Sequence, residues 1–189
     1  PTYDPGGAME WRYQDWTLSA VGLKGEENEA GEPFSYYAAG LAYRLGTAWG
    51  EGHYRLMYFT TTPDFAATPG AGLDRAEGAI LSLDQELGSG WGSFLRLAWQ
   101  GDALLGDYIA GYTGGLNVLG TAWGRARDNL GLALGYLEGP AGAPSPGGGG
   151  PMDAPPDEPS LASTWIGEAY YRFVATDWLA LSADIQYMN

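Results

Sequence analysis

The chain has 189 residues, 31 of them Gly and none Cys, and aromatics make up 14%, so a disulfide framework and a thiolate metal site are both excluded. The formal net charge is −14 with only 9 Lys and Arg, too few cations to neutralise a phosphate backbone, so nucleic acid is not an expected partner. No apolar run of about 18 residues occurs, so no transmembrane helix is expected, and this says nothing against β-strands crossing a bilayer.

Residues 1–7 read as a loop. From Ala8 to Gln14 the sequence alternates, with Trp11 and Tyr13 on one face and Glu10, Arg12 and Gln14 on the other. A tight turn near Asp15 leads into a second run in which Trp16, Leu18 and Ala20 share a face. An acidic stretch follows, and Phe34 to Leu45 resumes the alternation with Tyr37, Ala39, Leu41, Tyr43 and Leu45 opposite Arg44. Beyond a short turn at 46–52, Tyr54, Leu56 and Tyr58 oppose Arg55. A Pro- and Gly-containing loop spans 62–74.

The clearest stretch is Gly78 to Gly101. Ala79, Leu81, Leu83 and Leu87 oppose Ser82, Asp84 and Glu86; then, after Gly-Ser-Gly-Trp-Gly, Leu95, Leu97 and Trp99 oppose Arg96 and Gln100. A period of 2 is that of a strand and rules out an amphipathic helix. A loop at 102–108 precedes Ala110 to Gly120, where Leu116 and Val118 oppose Asn117. The turn at 121–128 leads to Leu130, Leu132, Leu134 and Tyr136, spaced by Gly and Ala. Residues 139–160 form a Gly/Pro-rich low-complexity segment, expected as a long surface loop. Trp165 to Phe173 alternates against Glu168, Tyr170 and Arg172, and after a short turn Leu179, Leu181, Ala183, Ile185 and Tyr187 oppose Ser182, Asp184 and Gln186.

This gives about ten strands, each near the roughly 9–11 residues that cross a bilayer at a tilt. A soluble sheet would bury the oily face; a membrane barrel would turn it to lipid and keep charges in the lumen. The connections alternate short and long, which is the order of an outer-membrane barrel and one that a soluble sandwich has no reason to keep. A Trp sits at every short turn, namely Trp16, Trp49, Trp91, Trp123 and Trp178. Five indoles at one rim read as a membrane-interface girdle. The expected fold is therefore all-β, an antiparallel up-and-down transmembrane β-barrel forming one domain over 1–189.

The face opposite the oily one holds Arg44, Arg55, Asp84, Glu86, Phe94, Arg96, Gln100, Asn117, Glu168, Tyr170, Arg172, Asp184 and Gln186. These are the candidate pore-lining residues. Both charge signs occur together, which suits neutral polar solutes, while Phe94 and Tyr170 offer aromatic faces to a sugar ring. Pairing of the charges with each other, simply to keep the wall wet and rigid, is the plainer reading. Acidic residues between strands (Glu26, Glu27, Glu29 and Glu32; Asp153, Asp157 and Glu158) read as solvated loop charge, with divalent-cation binding as the sharper alternative. Enzymatic readings are weak. The one histidine, His53, stands beside a short turn, and no G-x-S-x-G elbow surrounds any serine. Asp84 and Glu86 point the same way, as a glycosidase pair would, but pore carboxylates explain them equally well. No metal site or cofactor is expected.

Three stretches carry a family resemblance: LSLDQELGSGWGSFLRLAWQG, GGLNVLGTAWGRARDNLGLALGY and EAYYRFVATDWLALSADIQYMN. With GHYRLMYF at 52–59, they resemble the carbohydrate-selective porin family of OprB type in the order and spacing of their motifs. The resemblance runs from about Gly52 to Asn189; residues 1–51 match in pattern only, and the segment at 139–160 departs from it. It implies a barrel of roughly 16 strands, large enough for an aqueous channel, of which this chain would be a portion lacking strands at both ends. A complete small barrel is the alternative. No signal peptide is visible, so the chain reads as mature or cut from something longer. The implied function is passive, carbohydrate-selective diffusion across the bacterial outer membrane, with membrane lipid and small sugars as partners, and a homotrimer or a larger envelope complex as the assembly. Two rivals stay open: a non-conducting scaffold barrel, and a soluble carbohydrate-binding β-sandwich.

Overall fold

The computed structural model describes residues 5–27, 31, 33–62, 75–101, 108–139 and 163–189. Ten strands follow in order: β1 Gly6–Tyr13, β2 Trp16–Glu27, β3 Pro33–Thr47, β4 Gly50–Thr61, β5 Glu77–Gly88, β6 Trp91–Gln100, β7 Ala110–Leu119, β8 Asn129–Glu138, β9 Thr164–Val174 and β10 Ala180–Met188. They form one antiparallel sheet in which each strand pairs with its neighbours in sequence, and β1 and β10 are its open edges.

The strands run further into the turns than the alternation suggests. The turn expected at 46–52 shrinks to residues 48–49, and the glycine-rich one to Ser89–Gly90. Ser89 and Gly90 both have positive φ, 52° and 80°, as a tight hairpin turn matched to the right-handed strand twist requires. Trp16 and Trp91 are thereby the first residues of strands, not turn residues. Between β7 and β8 the chain makes a short 3-10 helix, Gly120–Trp123, which the periodicity did not announce. The acidic positions Glu29, Glu32, Asp153, Asp157 and Glu158, and all but residue 139 of the expected loop at 139–160, lie outside the described residues.

Registers across the sheet define two faces, one oily and one that carries most of the charge together with Met57, Ile80 and Leu137. One row runs Trp11, Leu18, Leu41, Leu56, Leu81, Leu97, Tyr112, Tyr136 and Trp165, each the direct cross-strand partner of the next. The adjacent row, on the other face, runs Arg12, Thr17, Ala42, Arg55, Ser82, Arg96, Thr113 and Gly135. Among the described residues the oily face has no protein cover: Leu132 is 52% exposed, Leu134 67% and Ile185 75%. Among the described residues only Ala76, Ala110 and Val118 are buried apolar side chains. A single sheet with a bare oily face is not a sandwich, since a sandwich buries that face under a second sheet.

The 3-10 helix closes tightly. A Cβ on Gly120 would collide with the Arg125 carbonyl oxygen and lie 3.1 Å from the Asp128 Cβ. Backbone there has little freedom to yield. Gly120→Ala in the full-length protein is expected to lower unfolding stability by about 1–3 kcal/mol, the usual cost of overpacking. Gly7→Ala, where an added Cβ meets nothing within 4 Å, should leave it unchanged. Urea unfolding midpoints of the two refolded variants provide the comparison.

Candidate functional site

All thirteen candidate pore-lining residues project from the same, polar face, because pairing carries one alternation phase from β3 to β10. They fall into three groups. The first centres on Asp84 of β5. Arg55 of β4 donates from Nη1 to its Oδ2 at 2.7 Å, and Arg96 of β6 from Nη2 to its Oδ1 at 2.8 Å. Both arginines flank Ser82 in one cross-strand row, so each reaches diagonally to the same carboxylate. The Arg96 guanidinium lies 5.2 Å from the Phe94 ring centre. Glu86 accepts the Glu51 backbone N–H at 2.8 Å.

The second group joins β7, β8 and β9. Asn117 and Asn129 exchange amide hydrogen bonds of 2.8 and 3.0 Å, and Asn117 also donates to the Tyr170 hydroxyl at 2.9 Å. The Tyr170 ring leans across onto Gly131 and the Phe94 ring onto Gly115, filling the space that a Cβ would take on either glycine. Their rings thus lie along the wall. Gln186 donates to Glu168 at 3.1 Å across β9 and β10.

The remaining candidates are dispersed. Arg44 donates to Asp15 at 3.0 and 3.1 Å at the short-turn rim. Gln100 points to the opposite rim, where its amide serves the Tyr108 carbonyl. Arg172 and Asp184 make no hydrogen bond or ion pair among the described residues. Asn129 of the second group was not foreseen, and neither were two further polar-face residues. Glu51 and His53 belong to β4, and His53 directly opposes Asp84. Counting outward from Arg55 in steps of two would have put both on this face; their place beside a turn concealed it.

Aromatic residues edge the oily face at two levels. At the short-turn rim the Trp16 and Tyr43 ring centres are 4.4 Å apart, and Trp123 and Tyr171 6.1 Å. Trp91 begins β6 at this rim, and Trp49 and Trp178 occupy turns there. Near the other rim Trp99, Tyr112, Tyr136 and Trp165 form a continuous chain with centre distances of 6.2, 6.2 and 4.9 Å. The second row is legible only once strand direction tells which end of β6 and β9 holds Trp99 and Trp165.

At the short-turn rim one buried charge holds the β7–β8 connection to β9. Asp128 is 1% exposed. It accepts from Arg125 and from the Tyr171 hydroxyl, and its Oδ1 takes the Val174 N–H at 3.0 Å. Arg125 also donates to the Val174 carbonyl at 3.2 Å, and its guanidinium sits 4.2 Å from the Phe173 ring centre. Arg127 pairs with Asp177 at 2.6 Å. The hydrogen bond from Arg125 holds the Asp128 carboxyl far below the usual carboxylate range; desolvation opposes this, and Tyr171 and the Val174 N–H add to it. The Gly-Arg-x-x-Asp portion of the recognised motif is therefore a brace at the rim.

The sequence matches the model of the "Carbohydrate-selective porin, OprB family" over residues 16–189. That match starts well before Gly52, so β2 and β3 carry the family pattern without its motifs. No curated protein matches the chain. The OprB structure of Pseudomonas putida determined at high pH superposes with a TM-score of 0.75 at 14% identity, covering 97% of this chain and 53% of that one. The fold is thus that of a porin barrel wall, and the chain spans about half the length of that solved structure.

The brace has a pH dependence of definite sign. A carboxyl with a lowered folded-state pKa stabilises the fold above its unfolded value of about 3.9 and loses that contribution as pH falls further. Asp128→Asn should therefore lower the melting temperature of the full-length protein at neutral pH. The gap to the native protein should narrow as pH drops from about 4 toward 2. A gap equal at both ends of a melting series across that range would refute this role.

Proposed function

The chain belongs to the carbohydrate-selective porin, OprB family, and from that premise we propose that the whole protein forms an outer-membrane channel for passive diffusion of sugars and similar small polar solutes. The observation that carries this reading is an oily row unbroken across the sheet on one face, with most of the charged side chains gathered on the other. One uninterrupted cross-strand row is oily from Trp11 to Trp165, and the neighbouring row holds Arg12, Arg55, Ser82 and Arg96. Lipid covers the first face without loss, since every interior strand satisfies its backbone through two neighbours. Water and solute occupy the other side.

The chain supplies ten strands of the wall, and the barrel is closed by strands outside them. The aromatic rows at either rim sit where indole and phenol rings favour the interface. From Trp91 to Trp99 the strand climbs about 27 Å at roughly 3.4 Å per residue, and less along the membrane normal once tilted, consistent with an apolar band of about 25 Å. On the lumen side, Arg55 and Arg96 are held by Asp84, and the nearby Arg44 by Asp15. These three arginines are matched by carboxylates, and the wall's hydroxyl, amide and carboxylate groups can exchange hydrogen bonds with a passing polyol. Passage requires binding that is weak enough to release.

The full-length protein in planar bilayers should give open steps that oligosaccharide reduces; a folded protein that never conducts would favour a scaffold barrel instead. Leu97→Arg should hinder assembly, because a lipid-facing cation near mid-bilayer costs about 2–4 kcal/mol. Normal membrane folding of that variant, scored by heat-modifiable gel migration, would reverse the assignment of faces. Asp84→Asn leaves Arg55 and Arg96 without their shared carboxylate, and the reversal potential in a salt gradient should move toward anion preference.

A further inference from the structure

We propose that His53 sets the ion preference of the channel according to pH, by adding or removing one positive charge on the lumen wall. The inference rests on the channel reading above. The sequence holds a single histidine. It lies in the row Arg44, His53, Asp84 and Phe94, each the direct cross-strand partner of the next, so the imidazole belongs to the polar face between a guanidinium and a carboxylate. It has no hydrogen-bond or ionic partner among the described residues, and it borders a hollow of about 280 Å3 together with Glu51, Asp84 and Glu86.

The charged groups around it come from four places. On β4 itself Glu51 and Arg55 stand two residues to either side, on the same face. From β3 comes Arg44, which pairs with Asp15 of the β1–β2 turn. From β5 come Asp84 and Glu86, and from β6 Arg96, which pairs with Asp84 as Arg55 does. Three guanidinium groups, of Arg44, Arg55 and Arg96, thus stand among four carboxylates, of Asp15, Glu51, Asp84 and Glu86; neither Glu51 nor Glu86 makes an ion pair among the described residues. With the imidazole neutral, this patch carries one negative charge in excess and favours cations. Protonation of His53 cancels that excess, and the preference moves toward anions. Guanidinium groups keep their charge throughout, carboxylic acids ordinarily titrate near pH 4, and imidazole is the side chain that changes charge between about pH 5 and 8. Across that range the patch therefore has one titrating group, and it stands at the centre of the cluster.

The test is the reversal potential of the full-length protein in planar bilayers under a KCl gradient at low salt, where a single wall charge is not screened out. From about pH 7.5 to about 5.5 the cation-to-anion permeability ratio is expected to fall about twofold, the effect of one charge acting through several ångströms of water. His53→Gln, which holds the position neutral, should keep the higher ratio at both pH values. His53→Lys, which holds it positive, should show the lower ratio at both. Heat-modifiable gel migration checks that each variant has folded, and either variant decides the matter if the other fails to fold. A native ratio that does not change with pH, or a change that survives in a folded variant, overturns the role of His53 while the channel stands. A native protein that does not conduct overturns both.

Discussion

Both faces of this molecule follow from one constraint: a sheet one layer thick has no protein interior in which to hide its oily side. Ordinary folding buries apolar side chains against other elements of the same chain. Here Leu81 and Leu97 pair across strands, and the same row extends to Leu56 on one side and Tyr112 on the other without meeting a second layer. The backbone is satisfied by neighbouring strands, and the oily side is left to the surroundings. Such a sheet is stable where hydrocarbon replaces water, because there the exposed leucines cost nothing and the paired amides have no competitor.

The same constraint shapes the polar face. With no core to position them, its side chains are held by each other. Asp84 gathers two arginines from the strands on either side. Asn117 ties Asn129 and Tyr170 into a network across three strands. Glycines opposite Phe94 and Tyr170 let those rings lie against the sheet and present flat apolar surface there. Ring placement and glycine placement are thus one device, and a larger side chain at Gly115 or Gly131 would lift the ring off the wall.

The short-turn rim answers a different demand. Tight turns such as Ser89–Gly90 need no support beyond their own backbone. The longer β7–β8 connection does, and Asp128 provides it by reaching Arg125 within its own segment and Tyr171 and Val174 on β9. A buried carboxylate is tolerated because its lone pairs are all engaged, which is the general condition for burying charge.

Strand number, strand phase and the two faces were legible in the sequence, because side-chain alternation has a period of 2 and reports on one strand at a time. Each of Arg44, Arg55, Asp84 and Arg96 could be assigned to the polar face from its immediate neighbours. The family was legible too, through motifs whose spacing is itself a local property. What a linear reading could not supply was the diagonal reach between strands. The Arg55–Asp84–Arg96 cluster, the place of His53 opposite Asp84, the second aromatic row from Trp99 to Trp165 and the brace on Asp128 all depend on register. Register is fixed by hydrogen bonds between strands far apart in sequence, and no single strand contains that information.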